Sequence, residues 1–234
     1  MNRIIMSALA LGTACAAPFA HAAQPTRPVV VELFTSEGCS DCPPADALLT
    51  ELAGTRHDIL PLAFHVTYWN SLGWTDPFSF EAATDRQEDY AHISAVGGPY
   101  TPQMVIDGTT DVVGSQRAQV LHDLQEAVAH VGDAVPIRLS RTGDEVTIGI
   151  AAGAGAGTVW LVGYDTRHRT PVGRGENAGR TLVESNIVRS LAAVADWRGA
   201  ALDLHHVAPA GERLAVIVQA KDGRILGAAT QDQE

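Results

Sequence analysis

Residues Pro28 to Asp46 read P-V-V-V-E-L-F-T-S-E-G-C-S-D-C-P-P-A-D. The run Val29-Val30-Val31, continued by Leu33 and Phe34, suits a strand buried on both faces. Ser36-Glu37-Gly38 makes a turn. Cys39 and Cys42 follow at C-x-x-C spacing, and then Pro43-Pro44. From Ala45 to Gly54 the apolar residues Ala45, Leu48, Leu49 and Leu52 fall at helical spacing, with Gly54 as a stop. Ile59 to Val66 is a second apolar run. Strand, cysteine turn, helix, strand is a βαβ unit.

A C-x-x-C pair closes almost no loop, so it adds little as a staple. It signals redox chemistry or half of a metal site. At a helix N-terminus the free N–H groups and the dipole favour a thiolate. Cys39 is therefore read as the exposed attacker, and Cys42, one turn into the helix, as the buried resolver. A zinc site needs about four ligands. There is no second cysteine pair, and His57, His65, His92 and His122 show no ligand spacing, so no metal is expected. Ser40-Asp41 supplies no positive charge, and Glu37, Asp41 and Asp46 surround the pair with negative charge. That predicts a moderately reducing couple.

Downstream, Tyr68, Trp69, Trp74 and Phe78 lie among turn formers, and core packing of an insert is their default role. Phe78 to Ala95 reads as a helix with Ala82, Ala83, Tyr90 and Ile93 on one side. Tyr100-Thr101-Pro102 precedes a short strand, Gln103 to Ile106. Asp107-Gly108 is a hairpin turn, with Val112-Val113 returning. Ser115 to His130 is an amphipathic helix capped by Ser115. His65 ends the second strand, and a satisfied core histidine is its default reading.

After Gly132 short alternating runs dominate: 135–139, 146–150, 159–162, 182–188, 202–207, 214–218 and 225–228. They predict an antiparallel sandwich or sheet. Arg167, Arg169, Arg174 and Arg180 form a local positive cluster, for which ion pairs with Glu176 and Glu184 are the default.

Upstream, Met1-Asn2-Arg3, the uncharged run Ile4 to Ala20 and Ala20-His21-Ala22 read as a secretory signal peptide over residues 1–22. A lipoprotein through Cys15 is a minor alternative. The chain has 234 residues, with 16 Lys plus Arg against 27 Asp plus Glu, a net charge of −11. Removing residues 1–22 takes one Arg and no acid, which leaves −12. An acidic chain argues against nucleic acid as partner. No later apolar run is long enough to span a bilayer. The expected location is periplasmic or secreted, where cysteines pair.

Two stretches, Val29 to Asp46 and Tyr100 to Gly108 (Y-T-P-Q-M-V-I-D-G), resemble the thioredoxin-like superfamily in motif and in element order. More narrowly, C-S-D-C-P-P-A-D, Trp74-Thr75-Asp76-Pro77-Phe78 and Arg174-Gly175-Glu176-Asn177-Ala178-Gly179-Arg180-Thr181-Leu182 resemble an exported bacterial family of unknown function. The resemblance implies an α/β thioredoxin-like domain over 28–132 (βαβ, helical insert, ββα) and a β-rich, sandwich-like domain over 133–234. It implies Cys39 as nucleophile, Cys42 as resolving thiol, a cis Pro102, and Thr101 presenting its backbone to an extended substrate. Glu32 stands where relatives carry a proton-relay acid. The implied activity is thiol–disulfide exchange on a protein or small-molecule disulfide with a redox partner and no cofactor. The alternative is a non-catalytic module that binds a soft metal such as Cu(I) or keeps a structural disulfide.

Overall fold

The computed structural model describes residues 27–94, 98–132 and 134–231. The expected signal segment and Cys15 lie outside the described residues. The chain runs β1 (Val29–Thr35), α1 (Pro43–Thr55), β2 (Ile59–His65), α2 (Glu81–Ser94), β3 (Gln103–Ile106), β4 (Thr110–Val113) and α3 (Arg117–Ala129). It continues with β5 (Ile137–Thr142), β6 (Glu145–Ile150), β7 (Gly157–Pro171), β8 (Thr181–Trp197), β9 (Leu202–Val207), β10 (Arg213–Gln219) and β11 (Ile225–Thr230).

Eight strands form one sheet in the order β11-β10-β7-β8-β2-β1-β3-β4, and β5-β6-β9 form a second. Each side of residue 132 thus contributes four strands to the large sheet. The seam is narrow: β2 and β8 run parallel and pair only at Ala63 and Ile187. β1 and β2 are parallel over their whole length, as the connecting helix α1 requires, and both are buried at every position. That is why V-V-V-E-L-F-T shows no alternation.

The two faces of the large sheet carry different layers. Val29, Val31 and Leu33 pack against Ala45, Leu48, Leu49 and Leu52 of α1 and Val120 and Leu124 of α3. Val30 and Phe34 face the other way, into a core shared with Ala83 and Tyr90 of α2 and with Val162, Ala215 and Ile217. On the α1 side of the second half, Val159, Leu161, Leu214 and Val216 meet Val146, Ile148 and Ile150 of the small sheet.

Two expectations change. The runs at 159–162 and 182–188 belong to strands of 15 and 17 residues, far longer than the apolar signal. β10 covers β7 only as far as Tyr164. Beyond it, β7 runs on beside β8 with Thr166, Arg167 and Arg169 exposed, so its apolar patterning stops there, and β8 past Val188 pairs with the start of β7 through residues that are mostly half-buried or exposed. In α2, the periodic residue Ile93 is exposed, while Arg86 and Gln87 are buried. The helix turns a polar stripe inward because buried polar partners wait for it on β1 and β3.

Candidate functional site

β1 ends at Thr35, and the chain turns through Ser36 to Asp41 before α1 starts. Cys42 is the N-cap residue, with Pro43 and Pro44 at the first helical positions. This differs from a Cys42 one turn inside the helix. Two prolines lack N–H groups, so the helix start offers fewer donors to a thiolate than a C-x-x-C helix ordinarily would. Ala45 and Asp46 N–H groups both donate to the Cys42 carbonyl. Cys39 and Cys42 form a disulfide with Cα atoms 5.4 Å apart.

Neither cysteine is exposed: Cys39 is 1% accessible and Cys42 0%. The expectation of an exposed attacker is corrected by what covers it. The turn at residues 172–180, the tip of the β7–β8 ribbon, lies on the cysteine turn. The Asn177 side-chain amide, fully buried, donates to the carbonyls of Glu37 (2.9 Å) and Cys39 (2.8 Å). The Ser40 N–H donates to the Glu176 carboxylate at 3.1 Å. Gly175 adopts φ +75°, and a side chain there would press on Trp74. The stretch R-G-E-N-A-G-R therefore belongs to the site. Its arginines do not form the expected ion pairs: Arg180 binds the Asn177 side-chain oxygen instead, at 2.9 Å.

The insert after β2 frames the turn from another side. Thr101-Pro102 is a cis peptide. Trp69 donates its indole N–H to the Thr101 hydroxyl at 2.8 Å and lies beside Gly38. Gly114 sits between Ala45 and Pro102 and has no room for a larger residue without displacing Leu33 or Ala45. Thr101 and Pro102 are thus brought against the start of α1. Trp74 donates to the Glu37 carboxylate at 2.8 Å. Phe78 packs edge-on to His65. These aromatics line the site as well as fill the insert.

Glu32 does not join the cysteines. Its side chain points to the sheet face opposite α1, because it alternates with Val31 and Leu33, and Arg86 and Tyr90 hold its carboxylate. The acid under the cysteine helix is Asp46, one turn after Cys42. It accepts from the buried Thr35 hydroxyl at 2.7 Å. Burial pushes the Asp46 carboxyl up to about 7, although the Thr35 hydroxyl favours the anion.

Asp46 belongs to a buried group with Glu37, His65, Asp76 and Glu184. His65 Nδ1 lies 2.8 Å from Asp76, and Nε2 lies 3.8 Å from Glu184. Burial opposes charge on His65, but Asp76 and Glu184 outweigh it and push its pKa up to about 10. Burial works to raise Asp76 as well. His65 and the N–H groups of Glu37 and Phe78 overcome it and hold Asp76 ionised. Burial raises Glu184 well above the carboxylate range despite His65, and burial followed by Asp76 raises Glu37. One imidazolium thus balances one carboxylate, while three further acids hold protons more tightly than free carboxyls do. Glu37 Oε1, Asp46 Oδ2, His65 Nε2 and both Glu184 oxygens have no hydrogen-bond partner among the described residues. Composition flagged Glu37 and Asp46 only as surrounding charge. Nothing in the sequence spacing joins Glu184 to them, since it arrives from β8.

Among the described residues no set of three His, Cys, Asp or Glu side chains converges to hold a metal ion. None of the described helices is long and apolar enough to cross a membrane.

The family model described as "Protein of unknown function (DUF1223)" matches residues 30–219. The chain belongs to this family. A crystal structure of an Agrobacterium tumefaciens protein is similar at 31% identity and a TM-score of 0.76, over 89% of this chain and 96% of that one. HBP35 of Porphyromonas gingivalis shares the fold at 12% identity and a TM-score of 0.58, over 88% of this chain and 75% of that one. No curated protein matches. The DUF1223 match spans both sides of residue 132, so the tip at 172–180 and the cysteine turn lie within one family unit.

Proposed function

We propose that this DUF1223 protein is an exported thiol–disulfide oxidoreductase, with a thioredoxin-like unit over 28–132 and a β-rich unit over 133–234. The observation that carries the reading is the disulfide itself. Residues only three apart are joined at the start of a helix, where a cross-link constrains almost nothing in the unfolded chain. Its value must then be chemical. The element order β1-α1-β2, α2, β3-β4-α3 and the approach of Thr101-Pro102 to that helix support the superfamily resemblance.

In the reducing direction, the Cys39 thiolate attacks one sulfur of a partner disulfide. A Cys39–partner S–S bond forms, and the partner's other sulfur leaves as thiolate. The Cys42 thiolate then attacks Cys39, closing the Cys39–Cys42 bond and releasing the partner's second thiolate. Two electrons pass to the partner, and the two protons of the cysteine thiols end on the partner's sulfurs. Asp46 replaces Glu32 as the acid that exchanges a proton with Cys42, because it shares the buried end of α1 with that residue. Thr101 makes no backbone hydrogen bond among the described residues, which leaves it free to pair with an extended substrate.

Cys42→Ser tests this. The reduced variant, mixed with a peptide disulfide, is expected to accumulate a mixed disulfide at Cys39, detected by mass, while Cys39→Ser accumulates none there. A Cys42→Ser variant that forms no mixed disulfide at Cys39 would sink the exchange mechanism. A second reading, a buried structural clasp, has one observation in its favour: the closed tip leaves both sulfurs inaccessible.

A further inference from the structure

We infer that the tip of the β7–β8 ribbon is a removable gate that sits in the seat of a polypeptide substrate. The inference rests on the redox reading and adds to it who is admitted.

The tip holds the cysteine turn by three hydrogen bonds, and all three end on backbone groups. Asn177 fills the acceptors of Glu37 and Cys39, and Glu176 fills the donor of Ser40. The two carbonyls and the N–H belong to a turn, and a polypeptide main chain, which carries both donors and acceptors, can satisfy them in the tip's place. The tip uses side chains to occupy what a substrate would take with its main chain.

The tip is also built to leave as a unit. Its own bonds close it: Val172 N–H to Arg180 O, Gly179 N–H to Val172 O, Arg180 N–H to Asn177 O and Ala178 N–H to Gly175 O. Arg180 braces the Asn177 side chain. Lifting the tip breaks none of these. The ribbon that bears it leaves the sheet where both strands are irregular. The β7–β8 register shifts between Gly163 and Tyr164, and Asn186 stands at φ +52°. Glu176 is exposed, so water competes for its bond. With the tip closed Cys39 is 1% accessible, so it becomes reachable only when the tip lifts off the cysteine turn and Trp74.

The oxidised protein is treated with tris(2-carboxyethyl)phosphine, which reduces disulfides irreversibly, so its rate reports access and not potential. Asn177→Ala is expected to react about tenfold faster than the parent, and Glu176→Gln about two- to threefold faster. Glu176 is exposed, so its variant keeps the test sound if Asn177→Ala fails to fold. Rates within experimental error of the parent in every folded variant would overturn the gate. The seat is tested on the reduced protein, with a peptide disulfide and hydroxyethyl disulfide as competing probes. The peptide is expected to react at least about tenfold faster; equal rates would overturn a polypeptide seat. If phosphine rates rise while no thiol buffer reduces the pair in any variant, the gate stands and the redox reading alone fails.

Discussion

Arg86→Met is expected to destabilise the fold by about 3–5 kcal/mol and to lower the melting temperature by roughly 10 °C, the largest effect of any single substitution considered. The Arg86 guanidinium grips the Glu32 carboxylate with two N–H groups, both side chains being almost wholly buried. Its Nη1 reaches Gln219 at 3.3 Å, and Tyr90 donates to Glu32 at 2.7 Å. The cation also lies over the rings of Phe64, Tyr90 and Trp160, 5.2–5.7 Å from their centres. Burial works to lower the Arg86 pKa, but Glu32 and Tyr90 outweigh it and keep the cation charged. Methionine fills the space and leaves a buried carboxylate without its counter-charge, held by Tyr90. Glu32→Gln with Arg86→Met removes both charges and is expected to recover much of the loss. Denaturant melts of the single and double variants check this. Equal losses would show that volume, and not charge, is at stake. Glu32→Gln alone is expected to leave the cysteine chemistry unchanged, since Glu32 lies across the sheet from α1.

Asp46→Asn is expected to change how stability depends on pH. Asp46 titrates near 7 in the fold against 3.8 as a free side chain, so the folded state binds the extra proton between those values. Stability contributed this way is present below about pH 4 and is lost as pH rises to about 7. His65, raised to about 10 from 6.5, acts in the same direction over the higher window: its contribution is full below about 6.5 and is lost as pH rises through 10. The parent should therefore melt several degrees lower at pH 9 than at pH 5. Asp46→Asn should reduce the slope between 4 and 7, to which the raised carboxyls of Glu37 and Glu184 also contribute, and should weaken the part above 7 only slightly, since Asp46 is the least of the groups that raise His65. A parent whose stability rises from pH 5 to pH 9 would contradict the protonated cluster.

Much of this fold is legible in the sequence because local signals and tertiary packing agree. V-V-V-E-L-F-T, the helix at 43–55 and the Asp107-Gly108 turn, with φ of +51° and +75°, each need only their own residues to be read. The cysteine pair and Thr101-Pro102 are legible for the same reason. What the sequence hides is assembled at long range. Glu32 and Asp46 are both acids near the cysteines in sequence, and only the alternation of β1 assigns Glu32 to the other side. Asn177 lies 138 residues from the carbonyl of Cys39 that it binds. β7 past Asp165 is polar and largely exposed, so no hydrophobic period marks how far it runs. Ser115 illustrates the finer limit: α3 starts at Arg117 after Gln116, without a side-chain cap bond.

The reduction potential of the Cys39–Cys42 pair, titrated in thiol buffers and read by alkylation and mass, tests the redox role most directly. Negative charge from Glu176, whose carboxylate accepts from the Ser40 N–H, and the missing N–H groups of Pro43-Pro44 favour a reversible two-electron midpoint of about −200 to −270 mV, within the span of known oxidoreductases. A pair that stays oxidised below about −300 mV is a structural clasp, and that result would contradict the proposed activity.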